Sequence, residues 1–407
     1  MKKWIMVCYL LLLCACGEVN NPPAELSFLE DIHPDELKNA SGEQTEQSRQ
    51  QALCVTINDE KNACSLATLG FIGQQETLPD KATIMSRVLV SHPWMADNFS
   101  RLLDQMPEDM YRLFASTTAI VIHSDIRPAF FWAATGAIYL DPYYLWMTGE
   151  QKATINPAGD YRSRYDDALS FTRIAQYSLN GRYPFGNGNS RTEQQALYVL
   201  SALLFHELAH ANDYFPRAEL AAADSRLTPL ALAERLIGHS TSLDLYNRYP
   251  LQSDILYQLG RVQFQGEQAS DMLIALTASD VGNYFAADGA NDAYNYSTLY
   301  EDTAMLFEEA MMKIHYGIDR EMAFATVLAT PPNVCSNISL DWTAINRVLS
   351  TQVIHRAEQV VNRLLPDNNH SDFFINPPAI GRFSVCQAPA GKGMIQQPAP
   401  LRHDFWH

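Results

Sequence analysis

Three residues carry the clearest chemical spelling in the chain: His206, Glu207 and His210, which form His-Glu-x-x-His within residues 203–213. On a helix, positions i and i+4 lie one above the other on the same face, so His206 and His210 can offer two imidazoles to one metal ion. Glu207, one position on, leans toward the same cleft without joining the pair. From there it could take a proton from an attacking water. Two imidazoles at this spacing suit Zn2+, which then needs a third protein ligand and one open position.

Three acids compete for the third place. Asp213 lies at i+3 from His210 and i+7 from His206. Three ligands in one helical column cannot converge on one ion unless the helix breaks. Asp213 is therefore expected to orient an imidazole from behind or to serve the helix end. Glu301 and Glu308 share one face of a second helical stretch, with Met305 between them and Leu306 and Met311 marking an apolar side. A carboxylate set among apolar neighbours can reach into a cleft as a ligand. Thr298-x-x-Glu301 also spells a capping box, so Glu301 could simply cap its helix. Glu301 is the first choice, with Glu308 and Asp213 behind it.

The pair His206-Glu207-Leu208-Ala209-His210 and Glu301-Asp302-Thr303-Ala304 resembles the gluzincin metallopeptidases. In that family the motif is completed by a Glu on a later helix, often within Glu-x-x-Ala. The resemblance implies that His206, His210 and Glu301 hold Zn2+ and that Glu207 is the general base. A closer likeness is to the anthrax-lethal-factor-like catalytic domains. There an Asp follows the motif, as Asp213 does, and a Tyr lies seven residues before the ligand Glu, as Tyr294 does. The likeness implies that Tyr294 stabilises the oxyanion, with Tyr296 as its rival. Those relatives carry a second Glu four positions after the ligand, where this chain has Met305. The fold implied is α+β and zincin-like, mostly helical, with a small mixed sheet before the motif helix and an edge strand lining the cleft.

The elements that must position these residues are partly legible. Ser190-Arg191-Thr192-Glu193 reads as a capping box, the run 196–205 is apolar nearly all round, and Pro216 closes the motif helix. Residues 117–123 and 133–142 read as strands. Helical patterns are expected over 80–116, 163–180, 228–237, 252–264, 297–316, 319–329 and 340–365. The expected organisation is a signal segment at 1–16, a flexible tether at 17–50, a sheet-bearing subdomain at 51–190 and a helical subdomain at 191–407 that carries the metal site.

Lys2 and Lys3 precede a short apolar run that ends in Leu13-Cys14-Ala15-Cys16. This resembles a bacterial lipobox, which implies acylation at Cys16 and a lipid anchor. Gly17 follows, without Asp, and in Gram-negative lipoproteins that implies the outer membrane. Cys54, Cys64, Cys335 and Cys386 make an even set in an exported chain and favour two disulfides, Cys54–Cys64 and Cys335–Cys386 being the local pairing. The net charge is −17, and removing Lys2 and Lys3 gives −17 − 2 = −19. Such a surface argues against nucleic acid and against docking on anionic lipid. The reading is a membrane-anchored zinc metallopeptidase of the bacterial cell envelope, acting on a peptide or protein. The alternative from another class is a non-catalytic envelope lipoprotein, a binding or assembly module on the same fold.

Overall fold

The computed structural model describes residues 32–57, 63–74, 78–162, 165–186, 188–330, 335–379 and 381–386. The signal segment and Cys16 lie outside the described residues. The fold is α+β, with two sheets and more helix than strand among the described residues.

The first sheet precedes the motif helix and is mixed. Its order is β1 (Lys38–Asn39), β2 (Val88–Val90), β3 (Ile120–Ile122), β5 (Ala137–Leu140), β4 (Phe130–Trp132). β2, β3 and β5 run parallel, while β1 and β4 pair antiparallel at the two edges. Strand alternation splits the central strands between two cores. Val88, Val90, Ile120, Ile122, Ile138 and Leu140 pack with the motif helix. Leu89, Val121, Ala137 and Tyr139 pack on the other side, with Ala52 and Val55 of the helix Glu46–Val55. A strand buried on both faces must be apolar throughout, as Ile120-Val121-Ile122 is. The strand expected over 133–142 is β5. It is not the edge, because the hairpin partner β4 covers it; the edge strand on this side is β4, whose Phe131 ring lies 5.8 Å from that of Tyr214 at the end of the motif helix. Gly136 turns that hairpin at φ +67, where a side chain would be strained.

Residues 32–50 belong to the fold rather than to a tether. Leu37 is fully buried, β1 pairs with β2, and Thr45 caps the helix Glu46–Val55. Both expected disulfides form: Cys54–Cys64 closes a sequence separation of 10 and Cys335–Cys386 one of 51.

The second sheet corrects three helical expectations. Residues 163–180, 319–329 and 340–365 yield instead β6 (Phe171–Ser178), β7 (Asp319–Val327) and β8 (Ile338–Ile345), an antiparallel sheet with β7 in the middle, followed by a shorter helix at Ile354–Leu364. β7 is buried from Asp319 to Ala325, so it shows no alternation, and a short buried strand cannot be told from a buried helix by period alone. The C-terminal part is therefore not purely helical. Its sheet borrows β6 from the segment before the motif helix, so the boundary expected near 191 does not separate two independent layers.

Candidate metal centre

The motif helix runs Glu193–Tyr214. Its cap lies two residues after the expected one. Thr192 is the N-cap and accepts from the Gln195 amide, while the Gln195 side chain returns to the Thr192 N–H. Every residue from Ala196 to Ala209 is buried, which makes the helix a rigid stem through the main core. It packs along the helix Leu299–Tyr316, and Tyr214 stacks on Tyr300 with ring centroids 4.9 Å apart.

This packing brings His206, His210 and Glu301 together as the one group among the described residues that could hold a metal. His206 Nε2 lies 2.9 Å from Glu301 Oε2, His210 Nε2 lies 3.4 Å from the same oxygen, and the two Nε2 atoms are 3.2 Å apart. Tetrahedral Zn2+ with bonds near 2.0–2.1 Å needs ligand atoms about 3.3 Å from one another. Two imidazoles and a carboxylate at these separations fit that requirement. The Glu301 backbone N–H donates to the capping Thr298 hydroxyl, while its side chain points to the imidazoles, so the cap does not occupy its carboxylate.

The charges are arranged for a cation. Burial alone would push His206 down, but the Glu301 and Glu308 carboxylates on its two ring nitrogens raise it to about 10. Burial would raise Glu301, yet the two imidazoles hold it well below the usual carboxylate range. Carboxylates on both ring nitrogens of His206 favour a positive charge at this place, which a divalent ion could supply instead of a proton.

Glu207 is 3% exposed, and its side chain makes no hydrogen bond among the described residues. Burial pushes it up to about 6, partly offset by His206 and His210. Tyr294, on the short turn Ala293–Tyr296, is buried beside the site, its ring 6.2 Å from that of His206. Gly260 allows that placement: a Cβ there would come within 2.6 Å of the Tyr296 carbonyl oxygen. The rival Tyr296 faces away, donating its hydroxyl to Asp288.

Asp213 does not orient an imidazole. Its carboxylate accepts from the backbone N–H of Ser242 at 2.9 Å and from the Ser242 hydroxyl at 2.5 Å, at the start of the helix Thr241–Arg248. The helix turns it outward to a neighbouring helix end, so it keeps only the helix-end role. The imidazole-orienting part falls to Glu308, weighed from sequence as a ligand. Glu308 Oε2 sits 3.0 Å from His206 Nδ1, on the ring edge away from Glu301, and Oε1 accepts from Tyr177 at 2.6 Å. Glu308 is therefore placed behind His206 and not among the ligand atoms. Tyr177 was missed; no sequence spacing links a strand residue to a helix 131 positions later.

No protein-family model matches the chain, and comparison with curated proteins and with solved structures returns no match either. The assignment must come from the chain's own residues. Among the described residues, no helix is long and apolar enough to cross a membrane.

Proposed function

We propose that the protein is a zinc-dependent metallopeptidase of the gluzincin type, anchored to the bacterial cell envelope through Cys16 and probing peptide or protein substrates with the His206–His210–Glu301 centre. The observation that carries this reading is Glu207. Its side chain sits beside the imidazole pair and accepts no hydrogen bond from the described residues, which leaves the carboxylate available to a proton. A general base needs that availability, because it must accept a proton in use.

His206, His210 and Glu301 would hold Zn2+. When bound, the ion supplies Lewis-acid polarisation of a peptide carbonyl and activation of water. Glu207 takes the proton of the attacking water and hands it to the leaving amine; its raised pKa suits both transfers near neutral pH. Tyr294 donates a hydrogen bond to the developing oxyanion. Glu308 accepts from His206 Nδ1, which directs Nε2 toward the ion. β4 is an edge strand of the first sheet beside the motif helix, where an extended peptide would add as a further strand.

The test is the zinc content of the purified chain and its cleavage of a mixed peptide library, with His206→Ala alongside. Bound zinc and chelator-sensitive cleavage, both lost in the variant, are expected. A wild-type chain that binds no zinc and cleaves nothing would replace this reading with the non-catalytic envelope module.

A further inference from the structure

Behind the site, a set of buried charges joins residues that no sequence spacing connects. Arg320, in the central strand β7, is 1% exposed. Its Nη2 lies 2.6 Å from Asp292 Oδ2, and its guanidinium sits over the Tyr177 ring, 4.8 Å from the centroid. Asp292 is fully buried. Its Oδ1 accepts from the Tyr294 N–H at 3.0 Å and from Arg173 Nη1 of β6 at 3.1 Å. Arg173 in turn covers Phe264, whose ring packs edge-on against Tyr294. On the other side, Tyr177 donates to Glu308, and Glu308 faces His206 Nδ1.

We propose that Arg320 is a positioning residue that holds both walls of the metal centre at once. Through Tyr177 and Glu308 it fixes the ring of His206; through Asp292 it fixes the turn that presents Tyr294. The inference rests on the zinc reading and deepens it. The geometry asks for an arginine. A planar guanidinium can lie flat on one ring while its edge donates to a carboxylate, whereas a lysine ammonium is a point charge that can do one or the other. β7 is hydrogen-bonded on both sides, so Arg320 starts from the most constrained strand of its sheet. The Arg320 N–H also donates to Asn346 Oδ1 at 2.9 Å, which pins the residue at its own backbone. A ligand and a cleft tyrosine, contributed by different helical segments, are thereby referred to one rigid point.

The experiment measures zinc affinity by competition with a chromophoric chelator, and the visible spectrum of the Co2+-loaded protein, on the full chain in detergent. Tyr177→Phe removes one hydroxyl and frees the Glu308 carboxylate; outer-shell changes of this kind weaken metal binding about 10–100-fold, and that loss is expected with a shifted Co2+ band. Arg320→Lys keeps the charge beside Asp292 but gives up the ring contact, and should weaken zinc in the same direction. Asp292→Asn should lower kcat with KM unchanged, and adding Tyr294→Phe to it should cost less than the two single losses combined. Tyr316→Phe removes a hydroxyl from the same core, where it pairs with Ser201 2.9 Å away, and should leave zinc affinity alone. If wild type binds zinc while Tyr177→Phe and Arg320→Lys keep its affinity and Co2+ spectrum, the inference is overturned and the zinc reading stands. If wild type binds no zinc, both fall together.

Discussion

Glu309 offers a quantitative test of how the core handles charge. It is 1% exposed in the helix that carries Glu301, and it accepts from Asn291 Nδ2 at 2.8 Å and from the Val348 N–H at 3.3 Å. Burial dominates these bonds and pushes its pKa up from 4.5 to about 8. For an acid with a raised folded-state pKa, the folded chain keeps its proton while the unfolded chain loses it. Stability is then greatest below pH 4.5 and declines as pH rises toward 8, the reverse of the usual carboxylate. Integrating that linkage from pH 5 to pH 7 gives a loss on the order of 2 kcal/mol from this one group. Glu309→Gln removes the titration and keeps a carbonyl oxygen for Asn291. Other groups in the core titrate in the same window, so the informative quantity is the difference between variant and wild type. Urea unfolding at pH 5 and at pH 7 should show the variant gaining about 2 kcal/mol on wild type between the two conditions. A difference that does not change with pH would mean that Glu309 is ionised in the folded chain, and the burial argument would be refuted.

Three further outcomes follow from the same physical reading. Asp213→Ala should destabilise the fold by about 1–3 kcal/mol, because the Ser242 N–H and hydroxyl lose their acceptor, while zinc content stays at the wild-type level; zinc loss would return Asp213 to the metal centre. Cys335→Ser opens the longer of the two disulfide loops and should cost about 4 kcal/mol, against about 3 for Cys54→Ser, by loop-closure entropy, read from thermal unfolding of the oxidised chain. Cys16→Ser should abolish incorporation of labelled fatty acid and release the protein from the membrane fraction; labelling that persists would rule out the lipid anchor at that position.

The motif helix was legible because one signal sets both its chemistry and its register: His206 and His210 at i, i+4 on an apolar stem. Glu301 was reachable because an acid in an apolar helical setting needs a reason to be there. The partners of Glu308 were not reachable. Tyr177 and Arg320 sit on neighbouring strands of a sheet read from sequence as helices, and pairing across a sheet leaves no local spacing to find. Part of that miss was avoidable. Ile338-Ser339-Leu340-Asp341-Trp342-Thr343 alternates apolar and polar, and its apolar members are the inward ones in β8, a period-2 pattern that opposes a helix from 340. β7 gave no such warning, since it is buried on both faces. Asp213 shows the remaining difficulty: its spacing placed it correctly on the helix, but only packing against Thr241–Arg248 decides what it touches. Residues 32–50 read as a tether because they are polar, yet Ile32 and Leu37 are enough to dock them.

The most direct test separates holding the metal from using it, by measuring zinc stoichiometry and peptide cleavage together in Glu207→Gln and Glu301→Ala. Glu207→Gln should retain the wild-type complement of zinc and lose about 10²–10⁴ in cleavage rate, because the ligands stay and only the proton acceptor is removed. Glu301→Ala should lose zinc, because two imidazoles alone remain to hold it. Glu207→Gln losing zinc as readily as Glu301→Ala, or Glu301→Ala keeping full zinc and activity, would contradict the assignment of these roles.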